Sequence, residues 1–236
     1  MTEKLVRDWA PFEKNIGVVF KNRDLLAQAF IHRSYLNENP GVGLEHNERL
    51  EFLGDAVLEL AVTDFLYRTY KDSPEGELTA YRAALVNANT MAEFANEINM
   101  NEYLFLSRGE AKDTGKARLY ILANAIEALI GAMYLDQGYA VVEKFIDRFL
   151  NKRAAEIVKK KLWRDSKSLV QEKSQEHLGI TPSYKVIRET GPDHDKNFTI
   201  GIYFGNEKIA EGKGHSKQEA EQDAARAAVE AKNWLD

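Results

Sequence analysis

Between Arg118 and Gln137 the chain is almost wholly apolar, running Leu119-Tyr-Ile-Leu-Ala-Asn-Ala-Ile-Glu-Ala-Leu-Ile-Gly-Ala-Met-Tyr-Leu-Asp136. A helix that is apolar on every side has to be a core helix, with the rest of its domain wrapped around it. Gly138 is its natural stop. Asn124 and Glu127, three residues apart on one face, break the apolar surface. An ionised carboxylate in that position is costly unless a cation or a donor meets it. A buried Glu paired with an Arg or a backbone donor is as good an account as a metal ligand when the segment is taken alone.

A second acidic segment changes that balance. His46-Asn-Glu-Arg-Leu-Glu-Phe-Leu-Gly-Asp-Ala-Val-Leu-Glu59 opens a helix expected to reach Tyr70. Its acids Glu48, Glu51, Asp55 and Glu59 fall within roughly 80° of arc. Leu50, Leu53, Val57, Leu58 and Ala61 surround this stripe, so it is expected to be shielded rather than open surface. Acids four apart repel by a few tenths of a kcal/mol per pair, and no Lys or Arg lies four residues further on to relieve them. Two acidic segments without local cations point to a shared divalent ion bound by hard oxygen ligands. The competing account is a solvated acidic face. The five histidines show no metal-ligand spacing, and His32 and His46 are expected to cap or pack.

The rest of the first 160 residues is expected to be helical. Helices are expected over Leu5–Phe20 (interrupted at Pro11), from Asn22 to near Tyr35, from Ser73-Pro-Glu to Val86, from an Asn89 cap to Ile98, and over Tyr139–Val158. Asn37–Gly41 and Ser107–Gly115 are expected to be loops. Lys152, Arg153, Lys159, Lys160, Lys161, Arg164 and Lys167 then form a locally basic segment in a chain of net charge −5. That net charge by itself argues against a nucleic-acid binder. From Ser168 the period changes. A short helix over Leu169–His177 is followed by a strand from Pro182 to Glu189. Phe198, Ile200, Ile202 and Phe204 then alternate with Thr199, Gly201 and Tyr203. Gly205-Asn206 is a hairpin turn, Lys208–Gly212 the return strand, and Ser216–Lys232 a helix whose inward stripe is Ala220, Ala224, Ala227, Ala228 and Ala231. The expected architecture is an all-α domain over residues 1–160, a linker over 161–167, and a small α+β domain over 168–236. The small domain has the order α-β-β-β-α with a three-stranded antiparallel sheet.

No uninterrupted run of about 18 apolar residues is present, so no membrane span is expected. Met1–Asp8 lacks the apolar core of a signal peptide. The absence of cysteine fits a reducing compartment, and a cytoplasmic location is expected.

Asn47-Glu-Arg-Leu-Glu-Phe-Leu-Gly-Asp55 resembles the signature of the ribonuclease III catalytic domain, and Ile121–Gly131 resembles that family's second acidic motif. Gly191-Pro-Asp-His-Asp-Lys-Asn-Phe198 and Gly212-Lys-Gly-His-Ser-Lys-Gln-Glu-Ala-Glu-Gln222 resemble a double-stranded-RNA-binding domain. The resemblance covers essentially the whole chain, in the bacterial domain order. It implies an endoribonuclease that cuts both strands of RNA duplexes with Mg²⁺, or with Mn²⁺ in its place. The implied products carry 5′-phosphates, 3′-hydroxyls and two-nucleotide 3′ overhangs, and the implied targets are ribosomal RNA precursors and other structured transcripts. It implies a homodimer through the catalytic domain, with Phe52 docking into the partner, and neither a DNA nor a membrane partner. Glu51, Asp55, Asn124 and Glu127 would be metal ligands. Asp55 and Glu127 would matter most for cleavage, with Glu48 and Glu75 as further acids lining the site.

In the second domain, Gln171 and Gln175 would reach minor-groove 2′-hydroxyls and His194 would enter the next minor groove. Lys213, Ser216 and Lys217 would face phosphates. The plain alternatives are solvent-facing glutamines and a loop histidine. Two departures stand out. Asn124 occupies a position where the family usually has Asp, and Gln218 one where it usually has Lys. Asn124 leaves open a tolerated variant, a weakened enzyme, or an inactivated chain that binds duplex RNA without cutting it. Losing a lysine at residue 218 should lower the salt slope of binding by about one.

Overall fold

The computed structural model describes residues 7–159, 161, 163, 165–192 and 196–234. It divides into two compact units, Met1–Lys160 and Lys161–Asp236. The first is helical, with α1 (Ala10–Ile16), α2 (Arg23–Ala29), α3 (Arg33–Glu38), α4 (Glu48–Thr69), α5 (Glu75–Leu85), α6 (Ala88–Glu97), α7 (Lys116–Gln137) and α8 (Tyr139–Lys159). The second holds α9 (Ser166–Leu178), β1 (Ser183–Thr190), β2 (Asn197–Phe204), β3 (Glu207–Gly214) and α10 (Lys217–Ala231).

Helix α7 is the axis of the first unit, packed by α2, α4, α6 and α8. By length and composition it could cross a bilayer, despite the polar residues that interrupt it, but most of it is buried inside the protein. From Ile121 to Met133 every residue is buried except Asn124 and Glu127. At that interruption α4 lies directly on α7. A Cβ placed at Gly54 would stand 1.7 Å from the Glu127 carbonyl oxygen, and one at Gly131 would stand 2.2 Å from that of Leu50. No side chain fits between the two backbones, so the sequence has glycine on each.

Aromatic packing holds the N-terminal helices. The rings of Phe12 and Phe30 meet edge-on at 4.9 Å, and Trp9 lies 5.0 Å from Phe30. Glu13 is only 3% exposed. Its carboxylate pairs with Arg23 at 2.7 Å and accepts the Phe20 N–H at 2.8 Å, so this buried charge is fully met. Asp136, at the end of α7, accepts the backbone N–H groups of Lys21 and Asn22 at 2.8 Å each.

Several boundaries depart from the sequence expectations. The first helix stops at Ile16, where Gly17 turns left-handed at φ 72°, instead of running to Phe20. Leu5 and Val6 lie outside the described residues. The segment from Asn22 to Tyr35 is two helices. Ile31 leaves the helical path to bridge Phe105, and His32 then caps α3, which runs on to Glu38 through the start of the expected loop. Asn22 caps α2 as expected. Pro74 is the residue before α5, and Ser73 makes no capping bond there. Asn87, not Asn89, caps α6 by accepting the Thr90 N–H. The expected loop over Ser107–Gly115 contains a 3-10 turn, Glu110–Lys112.

In the second unit the sheet is antiparallel, in the order β1-β2-β3. Ile202 and Phe204 pack with Val170 of α9 and with Ala224, Ala225, Ala228 and Val229 of α10. The inward stripe of α10 therefore includes Ala225 and Val229, while Ala231 is exposed and Ala227 only half-buried. Gly212 of β3 allows α10 close approach, since a Cβ there would lie 2.0 Å from the Ala224 nitrogen. The expected linker over 161–167 is shortened at its C-terminal end. Asp165 caps α9, its carboxylate also accepts from Gln222, and Lys167 pairs with Glu221 at 2.7 Å.

Gly131→Ala should lower the stability of the first unit by about 3 kcal/mol or more, because overpacking against backbone cannot relax through a rotamer change. Gly41→Ala, where nothing lies within 4 Å of the new Cβ, should leave the melting temperature nearly unchanged. Thermal melts of the two variants check this.

Candidate active site

The contact at Gly54 and Gly131 determines which side chains meet. Glu51 and Asp55 flank Gly54 by three residues and one on α4, and Glu127 lies one turn before Gly131 on α7. Burial, with Asp55 and Glu51 nearby, pushes the Glu127 carboxyl up to about 7. Burial also raises Glu51, as do Glu48 and Asp55, while a hydrogen bond from the Asn124 side chain opposes the rise. Among the described residues, no Lys, Arg or His forms an ion pair with Glu51, Asp55 or Glu127.

The stripe is less enclosed than its apolar neighbours suggest. Glu51 is half-buried, but Asp55 and Glu59 are exposed. The large residues beside the acids do not cover them, because Val57, Leu58 and Ala61 turn inward to α7 and its neighbours. Glu48 is not an unrelieved acid either. Arg33 stands 3.5 Å from one of its oxygens. The His46 Nδ1 is 3.8 Å from the other, but that nitrogen accepts the Glu48 N–H. His32 likewise accepts the Ser34 N–H and is held below its ordinary pKa, chiefly by burial. Both imidazoles thus cap helix starts. Glu75 is exposed in the first turn of α5. Arg33 was not singled out from the sequence, and its pairing with Glu48 across 15 intervening positions leaves no local signal.

Among the described residues, no three His, Asp or Glu side chains stand close enough to hold one ion without moving. The donor set nonetheless fits a hard divalent cation. It consists of carboxylate oxygens, one of them in a buried position with no protein cation to meet it. An ion that keeps several of its waters needs only one or two direct carboxylates.

Beside the acids, α4 carries an uncovered apolar ridge. Phe52 is 83% exposed, Leu60 58% and Tyr67 72%. In the second unit, Gln171 and Gln175 are exposed one turn apart on α9. Lys213 and Lys217 are exposed, the Lys217 amine lying 5.9 Å from the centre of the Phe198 ring. Ser216 caps α10 by accepting the Glu219 N–H. His194 lies outside the described residues. The Glu219 carboxylate accepts the His215 N–H at 2.8 Å, which places a negative charge at the helix end assigned to phosphate. The Ser-x-x-Glu capping pattern was the sequence signal for it.

Residues 22–154 match the ribonuclease-III-like family model, and residues 166–232 the double-stranded RNA binding motif. Ribonuclease 3 of Borreliella burgdorferi is 44% identical over 220 residues, covering 93% of this chain and 89% of its own. The chain belongs to the ribonuclease III family. Ribonuclease 3 of Carboxydothermus hydrogenoformans is also 44% identical, over 92% of this chain and 93% of its own. A ribonuclease III nuclease domain from Campylobacter jejuni, described with a flexible region involved in dimer formation, matches 61% of this chain and 97% of its own. Its TM-score is 0.56 at 36% identity. This ribonuclease III is accordingly a double-strand-specific endoribonuclease with a duplex-RNA-binding domain.

Glu127 leads to a pH dependence. Its folded pKa of about 7 lies above the ordinary value near 4.3, so over that interval the folded state binds more protons than the unfolded one. Stability of the metal-free protein should therefore fall as pH rises from about 4.5 to about 7. Glu127→Gln should flatten that decline and raise the melting temperature at pH 8, as read from melts in chelator between pH 5 and 8.

Proposed function

We propose that this ribonuclease III cuts each strand of an RNA duplex at a divalent-metal site held by Glu51, Asp55 and Glu127, with Mg²⁺ as the ion and Mn²⁺ able to replace it. The carrying observation is the Glu127 carboxyl, buried beside Glu51 and Asp55 with no protein cation in contact. A bound divalent ion would supply an acidified water and neutralise charge on the leaving 3′-oxygen. The chain's own residues do the rest. Glu127 and Glu51 orient the ion from the closed side of the site, and exposed Asp55 reaches toward the arriving backbone. Glu48, held by Arg33, stands at the rim. The α9 glutamines and the Lys213–Lys217 segment grip the duplex by shape and phosphates, so little sequence code is imposed.

The products are 5′-phosphorylated ends with two-nucleotide 3′ overhangs, from ribosomal, messenger and transfer RNA precursors in the cytoplasm. The lack of cysteine supports that compartment. A staggered double cut requires two sites, one from each subunit of a homodimer. The ridge of Phe52, Leu60 and Tyr67 supports that assembly, since apolar side chains this exposed on a rigid helix mark an interface.

Asp55→Asn and Glu127→Gln should each lower cleavage of a long duplex in Mg²⁺ more than ~100-fold, beyond the loss typical of outer-shell changes, while leaving duplex binding in chelator intact. Intact RNA with the unmodified protein at saturating Mg²⁺, restored to cleavage by Asn124→Asp, would instead support a binder that does not cut. Phe52→Glu combined with Leu60→Glu should give a monomer of unchanged melting behaviour in sedimentation equilibrium. A dimer that survives both changes would place the interface elsewhere.

A further inference from the structure

The Asn124 side chain is half-exposed on α7, in a stretch where only it and Glu127 escape burial. Directly across the α4–α7 contact lies Glu51. The Asn124 amide hydrogen-bonds the Glu51 carboxylate. An ionised carboxylate accepts and cannot donate, so the group turned toward Glu51 is the amide NH₂. The amide oxygen, the only atom of Asn124 able to ligate a hard cation, is the one that this bond does not use.

We infer that Asn124 is a positioning residue: it donates to Glu51 and holds that carboxylate in place on the closed side of the site before any ion arrives. An Asp at this position would meet Glu51 as a second carboxylate. With Glu48 and Asp55 already acting on Glu51, and Glu127 one turn away, the free protein would carry another unrelieved repulsion. Asn124 exchanges ion affinity for a calmer metal-free site. The enzyme binds Mg²⁺ more weakly than an Asp-bearing site would, but Glu51 is already placed when binding occurs. This account rests on the metal-dependent function proposed above.

The test uses the full-length protein and two measurements that do not involve cleavage. The first is a double-mutant cycle on melting temperature in chelator, using Asn124→Asp, Glu51→Gln and both together. Asn124→Asp should lower the melting temperature by roughly 2–6 °C. The double variant places a Gln amide opposite an Asp carboxylate, which restores one donor and one acceptor at unchanged net charge. It should recover most of the loss, so the two single effects will not add. The second is Mg²⁺ binding by calorimetry. Asn124→Asp should bind about three- to tenfold tighter, and Asn124→Ala about threefold weaker, because Glu51 loses its anchor.

Additive effects in the cycle, or an Asn124→Asp protein as stable in chelator as the unmodified one, would overturn the inference while Mg²⁺ binding still upheld the nuclease reading. If neither the unmodified protein nor Asn124→Asp binds Mg²⁺, the metal-dependent function fails first. Selective ¹⁵N labelling of asparagine adds a signature that a packing role would not move. The Asn124 side-chain NH₂ resonances should shift on Glu51→Gln in the metal-free protein.

Discussion

Two backbones in direct contact decide the chemistry of this enzyme. Where α4 crosses α7, Gly54 and Gly131 leave no room for a methyl group on either side. The crossing is therefore fixed to within a fraction of an ångström. Residues within a turn of it inherit that precision, among them Glu51, Asp55, Asn124 and Glu127. Carboxylates that repel one another would drift apart on loops. On two helices clamped at glycine they cannot, and their repulsion persists as a raised proton affinity at Glu127 and Glu51. That tension is what a divalent ion relieves.

The neighbourhood also shows what the clamp does not do. It does not close a ligand cage, since no three acids meet around one point. It also leaves Asp55 and Glu59 open to solvent. An enzyme that must admit a duplex backbone needs such an open rim, and the half-buried Glu51 and Glu127 supply the fixed wall behind it. Glu48 belongs to the rim, where Arg33 already neutralises it.

Much of this was legible in the residues. The apolar run from Leu119 to Asp136 forced a central helix, and the alternation from Phe198 to Phe204 forced a strand in a separate sheet. Pairing of the two acidic segments could be argued from their shared lack of cations. Other features left no local trace. The break at Ile31 arises because its backbone bridges Phe105, far along the chain. Arg33 meets Glu48 only through the tertiary fold. The true extent of the linker depends on Lys167 reaching Glu221, a partner more than fifty residues away. Local signals were also misplaced by small offsets, as with Asn87 taking the capping role expected of Asn89, because either residue has the right chemistry and packing selects between them. At residue 124 the sequence supplied the substitution, but only the helix crossing supplied what the amide touches.

The ridge of Phe52, Leu60 and Tyr67 and the acids Glu51 and Asp55 ride on the same unbroken rod, about 33 Å long at 1.5 Å per residue. A straight helix does not bend to insulate one of its sides from the other. Any partner that leans on the ridge rotates or slides the acids with it, and any ion that draws the acids toward Glu127 pulls the ridge the other way. Assembly and ion capture are then coupled equilibria with a single reciprocal coupling free energy. Diluting the protein would weaken its hold on the ion as surely as stripping the ion would loosen its hold on a partner.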